Sequence, residues 1–137
     1  MLDAVTNAPA ETEAAGERLG HTLQVGDLLL LEGELGAGKT TFVRGVARGC
    51  GSSAPVASPT FQLVRVYAGR VQLAHVDLYR LASSAELVDL GLEELLDQGA
   101  VVVEWGDRLD APNAALLSIE HLGGDRRRLH MERDLAR

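Results

Sequence analysis

Short apolar runs alternate with longer amphipathic segments along the first half of the chain. Residues 27–31 (DLLLL) form an apolar run that predicts a buried parallel strand. Residues 9–23 before the run and residues 40–48 after it place their apolar positions on roughly one helical face. The pattern therefore predicts a helix, a turn at Gly26, a strand, a glycine-rich loop and a second helix.

The second half of the chain carries mostly strand patterns. Residues 61–67 and 70–76 flank Ala68-Gly69 and predict a hairpin, while residues 115–122 and 126–131 predict a closing hairpin. A capping box from Ser83 to Glu86 predicts a helix that Gly91 interrupts and Gly99 ends. Residues 100–104 form another buried parallel strand. Together these elements predict an α/β fold of three layers, with a mixed, mostly parallel sheet and antiparallel hairpins.

The segment between the first predicted strand and its following helix fills every position of the phosphate-binding pattern G-x-x-x-x-G-K-[ST]; it reads Gly33-Glu34-Leu35-Gly36-Ala37-Gly38-Lys39-Thr40. Its glycines allow the loop to turn consecutive N–H groups inward on phosphates. Lys39 can then reach the β- and γ-phosphates, and the Thr40 hydroxyl can coordinate Mg²⁺. A glycine turn with a surface lysine is the alternative, but the strand and helix around the loop favour a nucleoside triphosphate site.

Two carboxylates follow predicted strands. Asp77 ends the strand of residues 71–76, and Glu104 ends the strand of residues 100–103. If both strands run parallel to residues 28–31, the carboxylates emerge at the edge where the phosphate loop lies and can hold a metal or order water. Asp77 capping the following turn is the alternative for that residue. We expect His75 to pack or hydrogen-bond within its hairpin, and Trp105 fits either the core or a position over a nucleotide.

Length, charge and composition limit the functional classes to which this chain can belong. The length of 137 residues predicts one domain over residues 1–137, and a net charge of −7 argues against binding nucleic acid alone, so a protein partner is expected. Cys50 is the only cysteine, and the first residues lack the pattern of a secretion signal. The apolar runs are too short to span a bilayer. These features predict a soluble, cytoplasmic protein that has no membrane segment.

Four separated blocks together resemble one family; they are residues 35–42 (LGAGKTTF), 58–61 (SPTF), 75–81 (HVDLYRL) and 104–105 (EW). In this order they are similar to the bacterial ATPase family of tRNA threonylcarbamoyladenosine biosynthesis, the TsaE (YjeE) family. Thr12, Gly16 and Leu19 also resemble the N-terminal helix of that family, so the likeness extends from residue 12 to about residue 128.

The resemblance implies an Mg²⁺-dependent ATP hydrolase that supports formation of N6-threonylcarbamoyladenosine at position 37 of tRNAs reading codons that begin with A. It implies action on threonylcarbamoyl-transferase proteins of the TsaB and TsaD type, with tRNA reached only through that complex. The catalytic residues that it implies are Lys39, Asp77, Thr60 and Trp105, with Thr60 in a loop that responds to the γ-phosphate. The implied ligands of Mg²⁺ are Thr40, Glu104 and Asp77. The implied ATP-binding residues are Gly33, Glu34, Leu35, Gly36, Ala37, Gly38, Lys39, Thr40, Thr41, Thr12 and Arg126.

Two features of the chain depart from the family pattern. Glu34 stands where the family usually has Asp, which we expect to have little effect because the side chain points away from the glycines. Three consecutive arginines, residues 126–128, leave open which one contacts the nucleotide, and we favour Arg126.

A phosphate loop also occurs in proteins with three other functions. A small-molecule kinase also joins a phosphate loop to a compact sheet, but it needs an acceptor pocket and usually an arginine-bearing lid, for which no insertion is large enough. A GTP-binding switch lacks support because neither N-K-x-D nor a following D-x-x-G is present. A nucleotide-binding adaptor without turnover stays open.

Overall fold

A computed structural model describes residues 2–34, 37–53, 64–77, 91–104, 111 and 114–135. The strands in this part of the chain are β1 (Asp3–Thr6), β2 (Leu28–Glu32), β3 (Val64–Tyr67), β4 (Gln72–Asp77), β5 (Gly99–Glu104), β6 (Ala115–Gly123) and β7 (Arg126–Arg133). The helices are α1 (Pro9–Gly20), α2 (Lys39–Gly49) and α3 (Leu92–Gln98).

The described strands pair into one sheet in the order β1-β7-β6-β2-β5-β4-β3. The central strands β6, β2, β5 and β4 run parallel, as is usual for strands buried on both faces. Antiparallel pairs lie at both edges, where β7 pairs with β6 and β1, and β3 pairs with β4. The mixed sheet and both hairpins are thus confirmed, although residues 61–63 of the first hairpin lie outside the described residues.

Helices cover the two faces of the sheet and complete the three predicted layers. Alternate positions of β2 separate the two cores, since Leu29 and Leu31 face α1 and α2, whereas Leu30 belongs to the cluster beneath α3. The α1 and α2 helices approach each other through glycines, where added Cβ atoms would collide with the backbone of the opposite helix; they are Gly16, Gly20, Gly45 and Gly49. This close approach holds α1 against the helix that follows the glycine loop.

The first predicted helix is shorter in the structure, and the helix predicted from Ser83 is only partly described. The first helix ends at Gly20, three residues before the predicted end, because the chain turns at His21 and the Thr22 hydroxyl donates to the Leu19 carbonyl. Residues 83–90 of the helix predicted from Ser83 lie outside the described part. After Gly91, which adopts φ +88°, α3 begins at Leu92 and gives way to β5 at Gly99. None of the helices within the described ranges is long and apolar enough to cross a membrane.

Sequence patterning missed β1, which is an edge strand paired to β7. Two of its four residues, Asp3 and Val5, are exposed, and the buried position is the polar Thr6, so β1 lacks the apolar alternation that marks a half-buried strand. Asp3 lies 3.4 Å from the Arg128 guanidinium and 3.6 Å from His130 Nδ1. The hydrogen bond from Arg128 lowers the pKa of Asp3, and the charges of Arg128 and His130 act in the same direction. These contacts tie β1 to the sheet.

Candidate functional site

A glycine loop joins the carboxyl end of β2 to α2. Gly33 follows β2 with φ +155°, and a Cβ at this position would lie 2.6 Å from the Ile119 carbonyl oxygen of β6. Gly38 precedes α2 with φ +101°, a backbone conformation that residues with a side chain rarely adopt. Its carbonyl oxygen accepts a hydrogen bond from the Phe42 amide at 2.9 Å. The residues between them include Glu34, which is exposed, Ala37, which is buried, and Leu35 and Gly36, which lie outside the described residues.

Lys39 opens α2 and turns back across this loop. Its side chain is buried, with the residue only 4% exposed, and Nζ donates to the Gly33 carbonyl at 2.6 Å. A buried ammonium requires such a partner, because removing it from water without one is costly. The alternative of a surface lysine on a glycine turn is therefore wrong. The structure instead concentrates a positive charge and the amino end of a helix at one point.

Asp77 and Glu104 are neighbours at the carboxyl ends of adjacent parallel strands. They are register partners in the β4–β5 pair, and Glu104 is also paired with Leu31 of β2, two residues before Gly33. Both carboxylates are largely buried, at 9% and 5% exposure. Alternation along the strands places them on the face that carries α2. The prediction that both acids emerge at the loop edge from parallel strands is confirmed.

His75 contacts one of these carboxylates. Its Nε2 lies 2.5 Å from Glu104 Oε2, and the ring is fully buried. The sequence predicted a role within the β3–β4 hairpin, but this hydrogen bond crosses to β5 on the other side of β4. The partners are far apart in the chain, so only the strand order reveals the contact.

A small, partly open pocket of about 30 Å³ lies beside the loop. It is lined by Pro9, Thr12, Gly38, Thr41, Asp125 and Arg127. Thr12 is almost completely buried, and its hydroxyl lies 2.6 Å from the Thr6 hydroxyl at the end of β1. The structure thus brings together three residues predicted to bind nucleotide from two helices and the loop, namely Thr12, Gly38 and Thr41.

Arg127, and not Arg126, is the arginine that reaches the loop. Its Nε lies 3.4 Å from the position that a Cβ of Gly38 would occupy, and Nη1 donates to the Gly124 carbonyl at 2.7 Å. Arg126 is exposed and begins β7 opposite Gly123, so strand alternation turns it to the other face. The sequence contained a signal for this, because the apolar positions Leu129 and Met131 mark the inner face that residue 127 shares.

The structure describes all three residues that were predicted to hold a divalent cation. Thr40 stands partly exposed in the first turn of α2, and Glu104 and Asp77 lie at the strand ends. No group of three or more His, Cys, Asp or Glu side chains arranged for a metal occurs in the described ranges. One or two carboxylates with a hydroxyl fit Mg²⁺, which takes its other ligands from phosphates and water. Thr60 and Trp105 lie outside the described residues, so their roles stay predictions.

The comparisons with known proteins agree in family and in fold. The family model described as threonylcarbamoyl adenosine biosynthesis protein TsaE matches residues 6–131. The tRNA threonylcarbamoyladenosine biosynthesis protein TsaE of Streptomyces coelicolor is 43% identical over 122 residues, covering 86% of this chain and 76% of that protein. The protein of the same name from Treponema pallidum is 42% identical over 106 residues, covering 77% and 78%.

A solved structure shares the architecture. The crystal structure of YdiB from Bacillus subtilis superposes with a TM-score of 0.80 at 34% sequence identity, covering 95% of this chain and 83% of that one. The family model and the relatives together cover nearly all of the described residues. The chain therefore belongs to the TsaE family of tRNA threonylcarbamoyladenosine biosynthesis proteins.

Proposed function

We propose that this protein is an Mg²⁺-dependent ATPase that supports formation of N6-threonylcarbamoyladenosine on tRNA by acting on threonylcarbamoyl-transferase proteins. The observation that carries the proposal is the buried Lys39, whose Nζ lies 2.6 Å from the Gly33 carbonyl oxygen, at the sheet edge where the register pair of Asp77 and Glu104 also ends. The glycine loop that we propose to bind phosphate and the two acidic groups share one edge of the sheet, and the carboxyl edge of parallel strands is where ligands commonly bind.

The phosphate end of the nucleotide would lie against the loop and the first turn of α2. Loop amides and the amino end of the helix favour negative charge there. Lys39 would exchange the Gly33 carbonyl for a phosphate oxygen, trading a neutral acceptor for a charged one. The exchange needs little movement, because the ammonium already lies over the loop.

The cation would be held by Thr40 and Glu104, with Asp77 beside them. Mg²⁺ in such a site neutralises charge on the phosphate oxygens. Asp77 lies next to Glu104 in the register, so we assign it to the metal shell or to the orientation of the attacking water. Both acids are buried, which strengthens their electrostatic effect on neighbouring groups.

The nucleoside end would occupy the pocket between α1 and β7. Thr12 and Thr41 supply hydroxyl groups, and Arg127 supplies a guanidinium that borders both the pocket and Gly38. This location lies beside the phosphate loop, as one nucleotide spanning both parts requires. We assign to Arg127 the nucleotide contact that the sequence favoured for Arg126.

The partners follow from charge and family. At −7, the protein repels a tRNA backbone, so we propose that it reaches tRNA through proteins of the TsaB and TsaD type, in the cytoplasm. Thr60 would respond to the γ-phosphate, and Trp105 would lie beside the nucleotide. The kinase alternative gains no support, because residues 126–128 belong to strand β7 and not to a lid.

Phosphate release from ATP by the purified protein tests the proposal. We expect Mg²⁺-dependent release that EDTA abolishes. Lys39→Ala should lower kcat/KM by about 10- to 100-fold, because a charge-assisted contact contributes about 1.5–3 kcal/mol. Arg44→Ala, at an exposed position on the same helix, is the matched control and should retain parental activity. Equal rates for Lys39→Ala and the parent protein would exclude this loop as the active site.

A further inference from the structure

A histidine lies fully buried within β4, where its neighbours along the strand are apolar. His75 is 0% exposed, as are Leu73, Ala74 and Val76 around it. A polar ring in such surroundings costs free energy unless its nitrogens find partners. The sequence therefore keeps an imidazole where an aliphatic side chain would pack at lower cost.

The ring makes its hydrogen bond to Glu104. Because a carboxylate only accepts, Nε2 carries the hydrogen and donates it to Oε2 over 2.5 Å. The other ring nitrogen, Nδ1, is buried without a hydrogen-bond partner among the described residues. Within that part of the chain the polar function of His75 is thus directed to one atom of one carboxylate.

The strand register explains how the contact forms. His75 is paired with Val102, and Asp77 is paired with Glu104. The imidazole therefore reaches diagonally along the shared face, from one step deeper in the sheet, to the carboxylate at the strand end. Glu104 has Asp77 at its side and His75 beneath it. The bond uses Oε2 and leaves Oε1 outside this interaction.

We propose that His75 is a positioning residue that fixes the Glu104 carboxylate through Oε2, so that Oε1 is presented to the divalent cation of the nucleotide complex. The inference rests on the proposed ATPase function. Carboxylates that bind metals are commonly hydrogen-bonded in turn, and loss of such a partner typically costs about 10- to 100-fold in metal affinity or activity. A held carboxylate also has fewer rotamers to lose when the metal binds.

Binding of Mn²⁺ to the protein with ADP, measured by electron paramagnetic resonance, tests the proposal without turnover. We expect His75→Leu to weaken Mn²⁺ binding about 10- to 100-fold. His75→Gln, whose amide can stand near the position of Nε2, should restore most of the affinity. Leu73→Val perturbs the same strand without touching Glu104 and should bind Mn²⁺ as the parent does. ADP affinity in EDTA should stay within about twofold in every variant, since the carboxylate acts on the metal.

A double-variant cycle separates an effect through Glu104 from general damage to the sheet. In a Glu104→Gln background, His75→Leu should weaken Mn²⁺ binding by less than about twofold further, because the two residues act as one unit. If the losses of the two substitutions instead multiply in full, His75 does not act through Glu104 and the proposal is overturned.

The outcomes also distinguish this inference from the proposed function. If Glu104→Gln binds Mn²⁺ as tightly as the parent, the assigned metal site fails, and the role of His75 fails with it. If Glu104→Gln weakens Mn²⁺ binding but His75→Leu does not, only the present inference is overturned. Should His75→Leu fail to fold, His75→Gln and His75→Asn decide, since the shorter Asn amide cannot reach the Nε2 position; equal affinities in the two would overturn the proposal.

Discussion

Substitution of one helical glycine should test how closely α1 must approach the loop helix. A Cβ at Gly45 would collide with the Glu13 carbonyl oxygen and lie 2.8 Å from both the Glu13 carbonyl carbon and the Glu17 amide nitrogen. Real Cβ atoms essentially never approach within 3.0 Å. All three obstacles are backbone atoms, so no side-chain rotation relieves them, and Gly45→Ala must push the two helices apart.

Two opposing contributions determine how much Gly45→Ala changes the free energy of unfolding. Helix propensity alone favours alanine over glycine by about 1 kcal/mol. Overpacking against rigid backbone costs about 1–3 kcal/mol and occasionally more. Because the collision involves three backbone atoms, we expect a packing cost at the upper end of this range, about 2–3 kcal/mol. Subtracting the gain in helix propensity leaves a net loss of unfolding free energy of about 1–2 kcal/mol. For a chain of this size, that net loss corresponds to a fall in Tm of roughly 4–8 °C.

Urea unfolding followed by circular dichroism measures this difference. Arg44→Ala, an exposed neighbour on α2, is the control and should change the unfolding free energy by less than about 0.5 kcal/mol. Thr12 lines the proposed nucleotide pocket and is the residue before Glu13 on α1. Separation of the helices should therefore also weaken nucleotide binding. A Gly45→Ala protein as stable as the parent, or more stable, would refute the reasoning, since propensity would then have outweighed packing.

Three further predictions follow from single contacts. Arg127→Ala should weaken ATP binding by about 10-fold or more in calorimetry, because Arg127 borders the pocket and Gly38. Arg126→Ala should change the affinity by less than about twofold, and a larger loss with Arg126→Ala than with Arg127→Ala would contradict the assignment. The hydrogen bond with Arg128 is the main cause of the lowered pKa of Asp3. The ionised carboxylate therefore stabilises the fold at pH values above the ordinary aspartate pKa of about 4, and this stabilisation is lost as the pH falls through the lowered pKa. The stability advantage over Asp3→Asn, measured by urea unfolding from pH 6 to pH 3, should therefore shrink with acid, and an advantage that grows would be inconsistent. Burial raises the pKa of the Cys50 thiol and shields it from reagents. Iodoacetamide at pH 7.5 should therefore modify the native protein at least about 100-fold more slowly than the urea-unfolded chain. Similar rates would show that the thiol is accessible in the native protein.

The parts of the fold that the sequence predicted are those with local signals. The apolar run of β2, the glycines and the amphipathic α2 follow one another in the chain, and each constrains the next. The rule that carboxyl ends of parallel strands share an edge then sufficed to place Asp77 and Glu104 together. No long-range register was needed for that conclusion, because both acids stand at the strand ends.

The parts that escaped prediction depend on pairing between distant segments. The strand β1 exists because β7 supplies its hydrogen bonds, with Asp3 opposite His130. The contact between His75 and Glu104 requires β5 to lie beside β4, an order that the linear pattern does not contain. Arg127 differs from these cases, since alternation with Leu129 already separated it from Arg126.

The central claim is that ATP hydrolysis at this loop sustains repeated rounds of tRNA modification by the partner proteins. The most direct measurement counts threonylcarbamoyladenosine formed per transferase complex over time, with ATP and one tRNA, in the presence of the parent protein, Lys39→Ala or neither. We predict several turnovers with the parent protein. With Lys39→Ala, the yield should fall close to that of the reaction without added protein, because Lys39 places a buried charge on the phosphate loop. The same number of turnovers in all three reactions would contradict the account.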